Sequence, residues 1–146
     1  MKFELIIDPD REESVTAVVH KPSALTSQIE ALVMQHLGTD RLIGYTDEEI
    51  KILQLTEIEC VVVLDGKTWA VDLRGQKHRL KQRLYELEES LPSAFIRINK
   101  SALAREDRID RFAVSFSGAV NVIFKSGYKE YVSRRCFADI KRRFDL

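Results

Sequence analysis

Asn99, Lys100 and Ser101 stand side by side at the end of a short apolar run, Phe95-Ile96-Arg97-Ile98. Each carries a hydrogen-bonding group with reach. An Asn amide can pair bidentately with an adenine edge. A Lys ammonium can contact guanine or a phosphate, and a Ser hydroxyl suits a backbone phosphate. The plain alternative is an ordinary polar loop. A second constellation follows at Ser133-Arg134-Arg135. Phe137, Ile140 and Phe144 recur there at helical spacing, so Ser133 reads as a helix N-cap. Arg134 and Arg135 then fall in the first turn. Cations there oppose the helix dipole, at a cost of roughly 0.3–1 kcal/mol each. Lys141, Arg142 and Arg143 fall in the last turn, where the dipole favours them. The C-terminal basic trio therefore has a structural reason and the Arg134-Arg135 pair has none. A polyanion nearby would reverse the penalty, and the Ser133 hydroxyl and the free N–H groups at that helix end suit a phosphate.

The elements that would position these groups can be read around them. An acidic helical stretch, Leu84-Tyr85-Glu86-Leu87-Glu88-Glu89-Ser90-Leu91, stops at Pro92. The run 95–98 is a short strand that delivers Asn99-Lys100-Ser101 to a tip. Upstream, Ile58 to Leu64 and Thr68 to Leu73 flank Asp65-Gly66, the signature of a type I′ hairpin, with Lys67 at its exit. Gly75 begins another turn and His78-Arg79-Leu80 another strand. Phe112–Phe116 and Val120–Phe124 form a hairpin around Ser117-Gly118-Ala119, and Ser126-Gly127 leads into Lys129-Glu130-Tyr131-Val132. Trp69 reads as a core residue of its strand.

The N-terminal part has its own pattern. Lys2 to Ile7 and Ser14 to His20 read as two strands about an Asp8-Pro9-Asp10 turn. Leu25, Ile29, Leu32, Val33 and Leu37 then trace an amphipathic helix stopped at Gly38. Ser27 and Glu30 have capping-box spacing, and Ser23 is an alternative start. His36 beside this stripe is a packing or surface histidine. Strand runs with short turns and few helices argue a β-dominated α+β fold.

At 146 residues the chain suits one domain, or one domain with a small extension. No apolar run approaches the ~18 residues of a membrane span. MKFELIIDPD lacks a long apolar signal core, so a cytoplasmic protein is expected. Cys60 and Cys136 then read as two buried free thiols. The net charge is zero but unevenly spread: residues 66–146 hold 18 Lys+Arg against 10 Asp+Glu, a net of +8, and the remainder carries −8. Such asymmetry is a nucleic-acid cue, because cations neutralise phosphates and release counterions.

Two motifs together resemble the LytTR DNA-binding domain. Leu84 to Ser101 fits L-x-E-L-E-x-x-L-P-x-x-F-x-R-x-x-[RKN]-S, and Gly127 to Ile140 fits G-x-x-x-x-V-S-R-R-x-x-x-x-[IL]. The likeness runs from about Tyr45 to Leu146, about two thirds of the chain. It implies a fold of roughly ten strands in stacked small sheets, reading double-stranded DNA with loops and with the start of the last helix. It divides the chain into a β-β-α extension, 1–43, and the DNA-binding part, 44–146. Many family members carry a phosphoacceptor receiver domain. The extension here is too short to be one, and Asp8 and Asp10 read as turn residues.

The resemblance places base contacts at Lys67, where a phosphate contact is the alternative, at Asn99 and Lys100, and at Arg135. Arg97, Ser101, Lys129, Ser133 and Arg134 would meet phosphates. Arg97 lies inside a strand, so an internal salt bridge with Glu86 or Glu89 is an equal alternative. Family members bind paired direct repeats, which implies a homodimer or two copies on one operator. Receiver-less members are often encoded beside a small membrane protein that restrains them, which implies such a regulator here. No cofactor, metal or small-molecule substrate is implied.

Other readings compete. One is a regulatory interaction module, in which the acidic leader holds a partner protein and DNA binding is secondary. An enzyme is disfavoured: there is no nucleophile elbow, no P-loop and no Cys/His metal set, and His20, His36 and His78 are widely spread. RNA binding would need exposed aromatics interleaved with the basic residues, and these are scarce.

Overall fold

The computed structural model describes residues 1–37 and 40–146. The helix stop expected at Gly38 lies outside the described residues. Helix α1 (Ala24–Leu37) is followed by five strands: β1 (Arg41–Tyr45), β2 (Ile50–Gln54), β3 (Ile58–Leu64), β4 (Lys67–Asp72) and β5 (Lys77–Leu80). Helix α2 (Leu84–Ser90) leads to β6 (Phe95–Asn99), β7 (Ala102–Arg105), β8 (Ile109–Val114), β9 (Val120–Phe124) and β10 (Lys129–Val132), and α3 (Arg134–Arg143) ends the chain. The strands form a seven-stranded sheet in the order β2-β1-β5-β4-β3-β7-β6 and a three-stranded sheet in the order β10-β9-β8. All neighbours are antiparallel.

The centre of the seven-stranded sheet is buried on both faces, which is why β3 is a continuous apolar run rather than an alternating one. Val61 and Leu103 point to one side, with Leu53, Leu80 and the α2 residues Leu84 and Leu87. Cys60, Val62, Ala102 and Ala104 point to the other, with Val122 and Phe124 of the small sheet and Ile140 of α3. Phe137 and Phe144 reach the same cluster, where Phe112 lies 5.6 Å and 6.3 Å from their ring centres. The stripe read from the sequence of α3 is thus its core face.

Several local readings hold. Leu64 pairs with Lys67 around Asp65-Gly66, and both turn residues have positive φ, 52° and 72°, as a type I′ turn requires. Trp69 packs against the second core. Others need correction. No strand forms before Arg41 among the described residues: 2–7 and 14–20 are exposed throughout, without the pairing partner that a strand needs. The extension is therefore an arm plus a helix rather than β-β-α. The strand β1 straddles the expected 43/44 boundary, so the sheet starts at Arg41. Helix α1 starts after Ser23, whose N–H donates to Thr26 Oγ1 at 2.9 Å. Glu30 does not cap it; its carboxylate accepts from Ser93, ahead of β6. Leu25, Leu32 and Leu37 of its stripe are exposed. Of the two free thiols, Cys60 is buried and Cys136 only partly so.

A polar pair is built into the sheet. His78 Nε2 lies 2.9 Å from Asp72 Oδ2, and both residues are buried. Burial pushes the Asp72 carboxyl up. The His78 hydrogen bond and the N–H groups of Gln76 and Arg74 outweigh it and hold the carboxyl below its usual range. A carboxylate depressed on folding stabilises the protein above its unfolded value, about 3.9, and that contribution is lost as pH falls through the folded value. Urea midpoints are therefore expected to decline below about pH 4, with a smaller decline for Asp72→Asn. An unchanged acid limb in that variant would remove Asp72 from the account.

Candidate nucleic-acid interface

Apart from Lys129, the residues singled out by sequence converge at one end of the large sheet. Lys67 follows the β3–β4 turn. The N–H of Val63, near the same end of β3, donates to Ser101 O at 2.8 Å, which brings the β6–β7 turn alongside. Ser133 N–H donates to Ile98 O at 2.9 Å, and Asn99 Nδ2 donates to Tyr131 O at 2.6 Å. These two bonds fasten the end of β6 to the β10–α3 junction. Lys67, Lys100, Arg134 and Arg135 are thereby held on one rim, all exposed.

Several arginines are paired within the fold. Arg105, Arg108, Arg111, Arg142 and Arg143 pair with Asp107, Glu59, Asp110, Asp139 and Glu106. Among the described residues, Lys67, Lys100, Lys129, Arg134 and Arg135 have no acidic partner. The rim thus carries four exposed cations, Lys67, Lys100, Arg134 and Arg135, that no acid among the described residues neutralises.

Each side chain has a distinct setting. Asn99 is only 5% exposed. Its amide donates to Tyr131 O, and its carbonyl oxygen accepts from Ser101 N–H at 2.7 Å. In this conformation it shapes the tip from inside, and Lys100 is the side chain presented outward. Arg97 pairs with Glu88, not Glu86 or Glu89, and donates to Lys100 O at 3.0 Å. It too braces the tip. Ser101 is half-buried beneath it. Ser133 caps α3 by accepting from Cys136 N–H at 3.2 Å, so only its O–H can turn outward. Helix geometry leaves the first N–H groups of α3, those of Arg134 and Arg135, without an intrahelical acceptor. Lys129 is exposed but stands apart from the rim. It lies next to the β9–β10 turn, where Ser126 bonds to Glu59 near the opposite end of β3.

Sequence reading missed Lys81. Leu80 pairs with Thr68, so Lys81 emerges beside Lys67 on the same rim. Its ammonium sits 4.3 Å from the centre of the Tyr45 ring. The available signal was the basic run Lys81-Gln82-Arg83 directly after a strand. From β5 across to β6 is four strand spacings, roughly 20 Å at about 4.8 Å each. An open groove of ≈ 540 Å³ adjoins the rim, between the β8–β9 turn and α3, with Tyr131, Arg134 and Lys141 in its wall.

Removing the internal hydrogen bonds of Asn99 should loosen this rim. Asn99→Ala strands the Tyr131 carbonyl and the Ser101 N–H, and a loss of about 1–3 kcal/mol of stability is expected in a urea melt. A variant as stable as the parent would show that the tip does not depend on Asn99.

Among the described residues no three His, Cys, Asp or Glu side chains are grouped to hold a metal ion. No described helix is long and apolar enough to cross a membrane.

The chain resembles known proteins along its whole length. An uncharacterized HTH-type transcriptional regulator of Staphylococcus aureus (strain bovine RF122 / ET3-1) is 32% identical over 149 aligned residues, covering 100% of this chain and 99% of the relative. A second, from S. aureus (strain NCTC 8325 / PS 47), is 31% identical with the same coverage. Despite the relatives' name, no two described helices are consecutive here: five strands separate α1 from α2, and five more separate α2 from α3. A solved LytTr DNA-binding domain from Bacillus cereus superposes with a TM-score of 0.67 at 17% identity, covering 73% of this chain and 98% of that domain. The LytTr DNA-binding domain family itself matches residues 48–145, the part that carries every strand but β1, the rim and α3. The chain belongs to the LytTr DNA-binding domain family.

Proposed function

We propose that the protein is a transcription regulator that reads specific double-stranded DNA through its turns and the start of α3, without a recognition helix. One observation carries this reading: Lys67, Lys100, Arg134 and Arg135 are exposed and unpaired on one rim, while most arginines elsewhere are paired with acids. Placing cations at the start of α3 stabilises nothing in the free protein. It suits a phosphate or a base edge in the complex. Arg135 and Lys67 reach base edges in this reading. Lys100 reads from the tip that Asn99 and Arg97 shape, and Arg134, Ser101 and the Ser133 hydroxyl take phosphates. Lys129 would contact a phosphate further along the duplex. One rim covers one site, so two copies occupy a pair of repeats in a promoter. The protein then acts in the cytoplasm and has no catalytic role. A small membrane protein that restrains it belongs to the same reading, on the family resemblance alone.

The test is selection of bound sequences from a random duplex library, followed by titration at two salt concentrations. A spaced, repeated motif bound at least ~10³-fold tighter than scrambled DNA is expected. Equal and steeply salt-dependent binding of both would leave counterion release alone and sink the sequence-specific reading.

A further inference from the structure

The N-terminal arm is the largest feature that DNA reading leaves unused. Every residue from Met1 to Ala24 is exposed. Phe3 is 89% exposed, Ile7 84% and Val18 93%. Soluble monomers rarely leave so large a contiguous apolar surface uncovered. The arm lies outside the matched LytTr region, yet the Staphylococcus relatives align over all of this chain, arm included.

The arm is self-complementary. Residues 14–20 read Ser-Val-Thr-Ala-Val-Val-His, with Val15, Ala17 and Val19 on one face of an extended chain. We infer that residues 13–21 pair antiparallel with the same residues of a second copy, about a two-fold axis at Ala17. In that register Val15 meets Val19 of the second copy. The small Ala17 meets itself on the axis, and Glu13 meets Lys21 at both ends. A slip of one residue would set Val15 against His20 and Thr16 against Val19, and would break both charge pairs. Identical patches related by a two-fold form a closed interface, so assembly stops at two.

Of the exposed apolar side chains, Val15, Val18 and Val19 lie in the paired segment, with Val15 and Val19 on the shared face. The inference deepens the reading of paired repeats and takes its purpose from it, because an arm-held dimer carries two DNA-reading rims. The pairing itself needs no DNA.

Two measurements on the full chain, without DNA, test it. The first is sedimentation velocity at micromolar concentration, where the parent should run as a dimer and Val19→Asp as a monomer. The second is oxidative cross-linking. Opposite residues in an antiparallel ladder have Cα atoms about 4.5–5.5 Å apart, within disulfide reach, and diagonal ones about 7–8 Å. Ala17→Cys should therefore form a covalent dimer and Thr16→Cys should not, with the parent showing the background from Cys60 and Cys136. A monomeric parent, or cross-linking of Thr16→Cys as ready as that of Ala17→Cys, would overturn the inference. A monomeric parent that still selects one DNA sequence leaves the DNA reading intact. A cross-linked dimer that selects none fails that reading alone.

Discussion

Arg135→Ala is expected to weaken binding to the selected DNA sequence by roughly 5- to 150-fold, the equivalent of ~1–3 kcal/mol for a bidentate Arg–guanine contact. Scrambled DNA should lose far less, because it loses about one counterion's worth of affinity. The difference separates base reading from charge. Arg135 has no acidic partner among the described residues, so its removal leaves no orphaned carboxylate and little stability should be lost. Arg142, on the same helix but paired with Asp139, is the matched comparison, and Arg142→Ala should change binding little. Titrations of both duplexes against the three proteins give the answer. Equal losses on the two duplexes for Arg135→Ala would reduce that residue to a phosphate contact.

Glu59→Ala is expected to cost about 3–5 kcal/mol, the usual penalty for removing one partner of a buried ion pair. Glu59 is 0% exposed. It lies 3.4 Å from Arg108, accepts from Ser126 N–H at 3.1 Å and also bonds the Ser126 hydroxyl. Arg108 Nε is already buried without a hydrogen-bond partner among the described residues. Losing the carboxylate would strand the remaining guanidinium and release the β9–β10 turn. A domain has about 5–15 kcal/mol in hand, so the variant should be marginal at best. Glu59→Gln keeps an acceptor for Ser126 and should lose less. The readout is the urea midpoint, and a loss under about 1 kcal/mol in Glu59→Ala would show that water replaces the carboxylate without penalty.

What could be read in advance followed from local rules. Asp65-Gly66 was legible because only certain residues accept positive φ twice in succession. Helix α3 was legible because its cap and stripe lie within a dozen residues. Asn99 was not. Its type suggests an exposed polar tip, and the bond that buries it comes from Tyr131, far along the chain. Lys81 was missed because its place beside Lys67 depends on the β4–β5 register. The arm shows the opposite failure. Its alternation is that of a strand, and period two says which face is apolar without saying what lies against it. The same holds for α1, whose stripe leaves Leu25, Leu32 and Leu37 uncovered.

The place of β3 in the sheet has a consequence during synthesis. One of its edges is closed at once by β4 through a two-residue turn. The other waits for β7, which begins at Ala102, although β3 ends at Leu64. At about 5–20 residues per second a ribosome needs roughly 2–8 s to supply that stretch. For that interval Cys-Val-Val-Val-Leu presents an open, uncharged edge, the kind that recruits other nascent chains. Slowing translation between residues 65 and 101 should therefore lower the soluble yield of this protein more than slowing it after residue 105.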